Sequence, residues 1–502
     1  MTILGSGICW IYIGTLIIFS VYFLFKLRRK NKEEKDRGNG ILPKGSSGWP
    51  LIGETLDFIS SGYSSKPVSF FQKRTALYGK VFRTHILGKA IIVSTDSEVN
   101  KVILQNHGNS FISHYPKSIT ELMGKVSLLY INGPLQKRIH ALIGGFLRSP
   151  QFKAKITKEV ERSVQFALSS WIQYQGNLVY LQEESKKISF EVMVRALMSV
   201  CPGEELNFLR GQFEEYSKGL ISLPIKLPGT RLYKSLKAKE KMLKVVREII
   251  QQRKITMMKK KIDNINNGSS TIINDDVLDI LLRDTLESDE SQPHLPLDSI
   301  SENLIEMMIP GEETVPTAIT LAVKFLSDNP VALARLVEEN LELKKRKACS
   351  GDEYAWTDYF FLPFTQNVIN ETLRMANIIN AVWREALKDV NIKGYLIPKG
   401  WCVLASFISL HMDEENYENP YDFNPWRWEK TEATVNSNTF TPFGGGQRLC
   451  PGLELSRLEI AIFLHHLVTT YRWVAEDDDV ICFPVVRMKN KLPITISAII
   501  GQ

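Results

Sequence analysis

A mainly helical domain with small β-sheets, of the α+β class, is the fold this chain predicts. Helical periodicity dominates after about residue 95, β-branched alternation is confined to short stretches such as 79–95, and no internal repeat divides the chain. At 502 residues and 44% hydrophobic content there is apolar material for one large core. The six cysteines (Cys9, Cys201, Cys349, Cys402, Cys450, Cys482) are scattered and form no C-x-x-C pair. That argues against a zinc site or a disulfide framework and suits a reducing compartment. A net charge of +7 is modest for this length, and no basic, aromatic-interleaved stripe points to nucleic acid.

Residues 2–25 carry no charge and are mostly apolar. As a helix they would span roughly 36 Å, enough for a bilayer core of about 30 Å. The run is too long for a signal peptide, lacks a basic stretch before it, and has no small-x-small site after it. Lys26, Arg28, Arg29, Lys30, Lys32, Lys35 and Arg37 follow at once, which puts the rest of the chain in the cytosol. Gly38 to Pro50 is turn-rich and reads as a hinge. The expected plan is a transmembrane anchor at 2–25, a basic flank and hinge at 26–50, and one domain from 51 to 502. In that orientation the glycosylation patterns at Asn267 and Asn370 stay out of reach of the modifying machinery.

Residues 79–95 read as a hairpin turning at Gly88-Lys89. The stretch 234–262 reads as a long basic helix ending in Lys259-Lys260-Lys261, a solvated face that can also touch an anionic membrane. Polar loops are expected at Asp263–Thr271 and Asp284–Pro296. A long apolar helix covers about 298–327 and includes Pro310-Gly-Glu-Glu-Thr314. Pro310 and Pro316 each remove a donor and crowd the carbonyl four residues back, on Glu306 and Glu312, so this helix should be distorted or kinked. A shorter helix at about 363–376 sets Glu371 and Arg374 three apart on one face. Asp413 to Thr439 is irregular and packed, and a helix follows the glycine loop from about 452 to 470.

The glycine loop, Phe443-Gly-Gly-Gly-Gln-Arg-Leu-Cys450-Pro-Gly452, carries the most chemistry. Gly444 to Gly446 open backbone angles closed to other residues and bear no side chain to keep a flat ligand away. Pro451 suits a first helical turn, where the helix dipole would lower the pKa of the Cys450 thiol. Arg448 adds a cation for a carboxylate, and Gly452 lets the next helix pass close to whatever the sulfur binds.

This loop resembles the haem-binding loop of the cytochrome P-450 monooxygenases. Glu371-Thr-Leu-Arg374 and Phe423-Asn-Pro-Trp-Arg427 resemble the E-x-x-R and P-x-R motifs of the same family, in the family's order. The resemblance implies a P-450 fold behind a single anchor helix, haem b held through iron by Cys450, and a buried triad of Glu371, Arg374 and Arg427 fixing the loop. It implies that Phe443, Gly444, Gly446 and Gly452 seat the haem and that Arg448 and Arg384 bind its propionates. The early-helix partner is usually an arginine; here Gln136 and His140 stand in that stretch, with Arg138 beside them. Gly311, Glu313 and Thr314 match the oxygen-activation motif, with Thr314 hydrogen-bonding dioxygen and Glu313 passing protons through water.

Longer runs, among them Met307-Met-Ile-Pro-Gly, Ile392-Lys-Gly-Tyr-Leu-Ile-Pro-Lys-Gly-Trp401 and Phe463-Leu-His-His-Leu-Val-Thr, resemble the plant brassinosteroid branch, most of all its C-23 sterol side-chain hydroxylases. That implies NADPH- and O2-dependent hydroxylation of 22-hydroxylated, campesterol-derived sterols on the endoplasmic reticulum, with a membrane-bound reductase as electron donor. C-22 hydroxylation is the nearest rival; a haem-thiolate isomerase or dehydratase and a non-catalytic haem protein are the others. An apolar pocket would be lined by Phe111, Tyr115, Leu122, Met307, Met308, Ile378 and Ile379.

Overall fold

The computed structural model describes residues 40–124, 126–174, 178–267, 276–287, 294–429 and 438–499. The expected anchor and most of its basic flank lie outside them. Among the described residues no helix is long and apolar enough to cross a membrane.

Helices dominate, and the sheets are small. Strand β1 (Val81–Ile86) pairs antiparallel with β2 (Lys89–Ser94), Phe82 facing Val93. The turn is Leu87-Gly88, one residue earlier than the sequence suggested. Both residues have positive φ (52° and 78°), the geometry of a two-residue hairpin. Helix α1 (Ser97–Gln105) follows, its N-terminus capped by the Asp96 carboxylate, which accepts the Glu98 and Val99 amides. Strand β3 (Phe111–Ser113) lies on the far edge of the sheet; β4 (Ala381–Ala386) and β5 (Cys402–Ser406) complete the order β1-β2-β5-β4-β3. Arg384, opposite Ser113 and Val403, is held inside this sheet.

The remaining helices that frame the site are α2 (Gly133–Arg148), α3 (Leu181–Met198), α4 (Glu204–Ser217) and the basic α5 (Arg231–Asn267). After them come α6 (Leu297–Met307), α7 (Ile309–Glu312), α8 (Thr314–Ser327), α9 (Pro363–Ala376) and α10 (Leu453–Thr470). Helices α6, α7 and α8 are the single helix the periodicity suggested, broken twice. The first break precedes Pro310, which occupies the opening turn of α7, where no amide donor is needed. The second falls at Glu313 (φ −114°, ψ −53°), three residues before Pro316. Gly311 has a packing reason to be glycine: a Cβ there would stand 2.7 Å from Met193 Cβ and 2.9 Å from the Ser189 carbonyl on α3.

The core runs through α3, α8, α9 and α10, where Phe190, Ile319, Val368, Phe463 and Leu467 are wholly buried. Asn370 is buried too, its Oδ1 accepting Arg457 Nη1 at 2.7 Å, so glycosylation there is sterically closed.

Candidate active site

The cysteine loop closes on itself. The Cys450 amide donates to the Phe443 carbonyl at 3.1 Å, and the Gly444 amide donates to Thr441 at 3.0 Å. Gly444 and Gly446 take φ of +74° and +64°, the left-handed region where side chains are strained. At Gly446 a Cβ would also meet the Leu104 carbonyl of α1 at 2.3 Å. At Gly452 a Cβ would meet only the Cys450 sulfur, at 3.9 Å, so that side of the loop is open.

The helix after the loop starts later than expected. Gly452 is its N-cap and Leu453 its first residue, leaving Pro451 ahead of the cap. Burial pushes the Cys450 thiol up, with only the Gly452 amide opposing it. The expected lowering by the helix dipole is therefore overturned: desolvation outweighs one backbone donor. A bound metal reverses that balance, because a coordinating thiol is deprotonated outright.

Glu371, Arg374 and Arg427 meet in the structure. Glu371 Oε2 accepts Arg374 Nε at 2.9 Å, and Oε1 accepts Arg374 Nη2 at 2.8 Å and Arg427 Nε at 2.9 Å. The Trp428 indole (3.0 Å) and the Asn424 amide (3.0 Å) fill out the carboxylate. Both Glu371 and Arg374 are 0% exposed. Arg374 also donates to the carbonyls of His411 (2.8 Å) and Pro420 (2.7 Å).

His411, which no sequence signal singled out, carries the connection onward. Its Nε2 accepts the Thr441 amide at 3.0 Å, two residues before Phe443, and its Nδ1 meets Asn377 Oδ1 at 2.8 Å. Desolvation, then the nearby Arg374 charge, holds its pKa down to about 3, so the ring is neutral, with the proton on Nδ1.

Helix α2 grips the loop backbone. Gln136 Nε2 donates to the Gln447 carbonyl at 3.1 Å, and His140 Nε2 lies 2.7 Å from the Leu449 carbonyl. Arg138 turns away to Asp284 (2.6 Å) and does not stand in for the missing arginine. The sequence offered Gln136 as a cofactor contact; its amide nitrogen holds the loop, while its buried Oε1 has no partner.

Arg448 binds His107, and the charge of Arg384 also reaches it. Arg448 Nε donates to His107 Nε2 at 2.6 Å. Its other nitrogens hold the carbonyls of Leu128 (3.0 Å), Leu129 (3.1 Å) and Ile131. Desolvation and then these two guanidinium charges press His107 down to about 4. Arg384 is 5% exposed, and its Nε has no partner. Among the described residues neither guanidinium has a carboxylate at ion-pair distance.

Thr314 opens α8, its hydroxyl donating to the Pro310 carbonyl at 3.3 Å. Of the two acids before it, Glu312 is 3% exposed and pairs with Lys186 of α3 at 2.9 Å, while Glu313 is half-buried. Burial raises both carboxyls, Glu312 to about 7, and Lys186 pulls each back. Of the expected pocket residues, Leu122 and Met308 belong to the main core cluster, and the partly buried Met307 and Ile378 pack against it. Phe111 does not: it is buried in the separate cluster with Val99 and Ile103. Ile379 is 46% exposed.

The cytochrome P450 family model matches residues 43–494. This chain belongs to the cytochrome P450 family. It is 60% identical to the 3-epi-6-deoxocathasterone 23-monooxygenase CYP90C1 of Arabidopsis thaliana over 483 residues, covering 94% of this chain and 89% of that protein. It is 52% identical to the 3-epi-6-deoxocathasterone 23-monooxygenase CYP90D1 of the same plant, covering 91% of this chain and 90% of that one. Against the steroid (22S)-hydroxylase of Brachypodium distachyon the identity is 37%, over 96% of this chain and 93% of that protein. The solved structure of retinoic acid-bound cyanobacterial CYP120A1 shares the fold, with a TM-score of 0.77 at 24% identity, over 92% of this chain and 100% of that one.

As a P450 the chain is a haem-thiolate monooxygenase, and the site fits the haem. A thiol sits on the open side of a glycine loop, and Arg384, with no carboxylate of its own and an unpartnered buried Nε, suits a propionate. Arg448 is more committed, with carbonyls already taken by both Nη atoms.

Proposed function

We propose that this P450 hydroxylates C-23 of 22-hydroxylated, campesterol-derived sterols, using O2 and electrons that pass from NADPH through a membrane-bound reductase. The observation that carries this reading is the 60% identity, over 94% of the chain, to a protein named for that reaction. The C-22 alternative draws on a relative at only 37%. Residues 51–502 are the catalytic domain, tethered through 26–50 to an anchor at 2–25 in the endoplasmic reticulum membrane, on its cytosolic side. Trp49, Leu51 and Leu56, at 78%, 88% and 68% exposed, suit a surface lying on lipid.

Haem held through a thiolate would supply the oxygen-activating chemistry when bound. Cys450 would hold the iron, Phe443, Gly444, Gly446 and Gly452 would form the cradle, and Arg384 with Arg448 would bind the propionates. Gln136 acts on the cofactor only through the loop it holds. Glu313 and Thr314 hold and pass protons. Burial raises the Glu313 carboxyl, so it holds its proton to a higher pH than a free carboxyl does.

Thr314→Ala is expected to keep consuming NADPH while product per NADPH falls by at least about tenfold. Unchanged coupling would mean that protons arrive by a path that avoids Thr314. The reaction class is tested in reductase-containing membranes with a sterol panel. Turnover requiring both NADPH and O2 supports hydroxylation; conversion without either supports an isomerase or dehydratase.

A further inference from the structure

We propose that Glu306 recognises an alcohol on the sterol side chain, through a carboxyl oxygen that no protein group uses. The proposal rests on the C-23 reading above and names the substrate group that this site would select.

Glu306 lies on α6 and is 6% exposed. Its Oε1 accepts the Leu129 amide at 3.0 Å. Its Oε2 is buried without a hydrogen-bond partner. Leaving such an oxygen unpaired is unfavourable, and a ligand hydroxyl that donates to it removes that penalty.

Its location indicates which part of a long substrate it meets. Leu129 is bonded on both sides: its amide to Glu306, its carbonyl to Arg448 Nη1 at 3.1 Å. Arg448 is two residues from Cys450. The carboxyl is thus linked through Leu129 to Arg448 of the iron-binding loop, and on this proposal it meets the end of the sterol that reacts. With C-23 at the iron, the adjacent C-22 alcohol is the polar group at that end.

A tether for the loop alone is already present without Glu306. Asn303 accepts the Leu128 amide at 2.8 Å and donates to the Val126 carbonyl at 2.9 Å, and Arg448 holds three more carbonyls. Burial also raises the Glu306 carboxyl to about 7, against the Ser127 hydroxyl, the Leu129 amide, Lys239 and Arg448. A carboxyl near that value presents a donor as well as an acceptor at neutral pH.

The test compares the spectral binding of a 22-hydroxylated sterol with that of its 22-deoxy counterpart, in wild type, Glu306→Met and Glu306→Gln. Wild type should bind the hydroxylated sterol about ten- to a hundredfold more tightly. The Met variant should lose that preference with little change for the deoxy sterol, and Gln should retain most of it. Equal weakening of both sterols in the Met variant would reduce Glu306 to a loop tether and overturn the proposal, as would an unchanged preference. Should the Met variant fail to take up haem, equal affinities in wild type would overturn it alone. The product carbon separates the two readings. Oxygen at a carbon other than C-23 sinks the C-23 reading; C-23 product without a hydroxyl preference sinks only the role of Glu306.

Discussion

Cys450→Ala is expected to abolish the red-shifted Soret band of the reduced CO complex and all hydroxylation. The loop presents one sulfur, and the open side of Gly452 faces it. Of the five cysteines in the described residues, all unpaired, only Cys450 lies in a glycine loop. Among these residues no group of three or more His, Cys, Asp or Glu side chains offers a metal another place. The fold itself should survive, because the loop is closed by backbone bonds from Cys450 to Phe443 and from Gly444 to Thr441, which alanine leaves intact. A folded variant that kept the thiolate-type spectrum would assign the iron to another ligand.

Glu371→Ala is expected to cost about 3–5 kcal/mol, because it strands Arg374 as a buried, uncompensated charge. Against a total stability of about 5–15 kcal/mol, that loss shows as a lower melting temperature and poor haem retention. Often a buried ion pair can be exchanged for apolar residues at little cost. Here that exchange should fail as well. Arg374 holds the carbonyls of His411 and Pro420, and His411 holds the Thr441 amide just before the cysteine loop. Glu371→Gln, which keeps one acceptor, should lose less. Equal melting temperatures for wild type and Glu371→Ala would contradict a structural role for the triad.

The parts of this site legible in the sequence are those whose geometry is local. Glu371 and Arg374 share a helix face at a spacing of three, and the glycine loop needs backbone angles that few residues adopt; outside the site, the hairpin turn was legible only to within one residue. The proline breaks in 298–327 followed from a missing donor, although three short helices rather than one bent helix resulted.

What stayed hidden are contacts between distant residues. His107 meets Arg448 across 341 positions, and Gln136 meets the Gln447 carbonyl across 311. No periodicity encodes such pairs. Glu306 was visible only as an acid in an apolar helix; its free oxygen is a property of the packed structure. Two expectations failed for the same reason. The lowered thiol of Cys450 and the pocket role of Phe111 both assumed surroundings, and desolvation and a separate apolar cluster supplied different ones.

The most direct test of the account is the position of the new oxygen. A 22-hydroxylated sterol is incubated with this P450, an added NADPH-dependent P450 reductase, NADPH and isotopically labelled O2, and the product is assigned by NMR and mass spectrometry. C-23 hydroxylation by this P450 leaves one labelled oxygen at C-23. Label at C-22 or on the rings, or a product that carries no label, would contradict it.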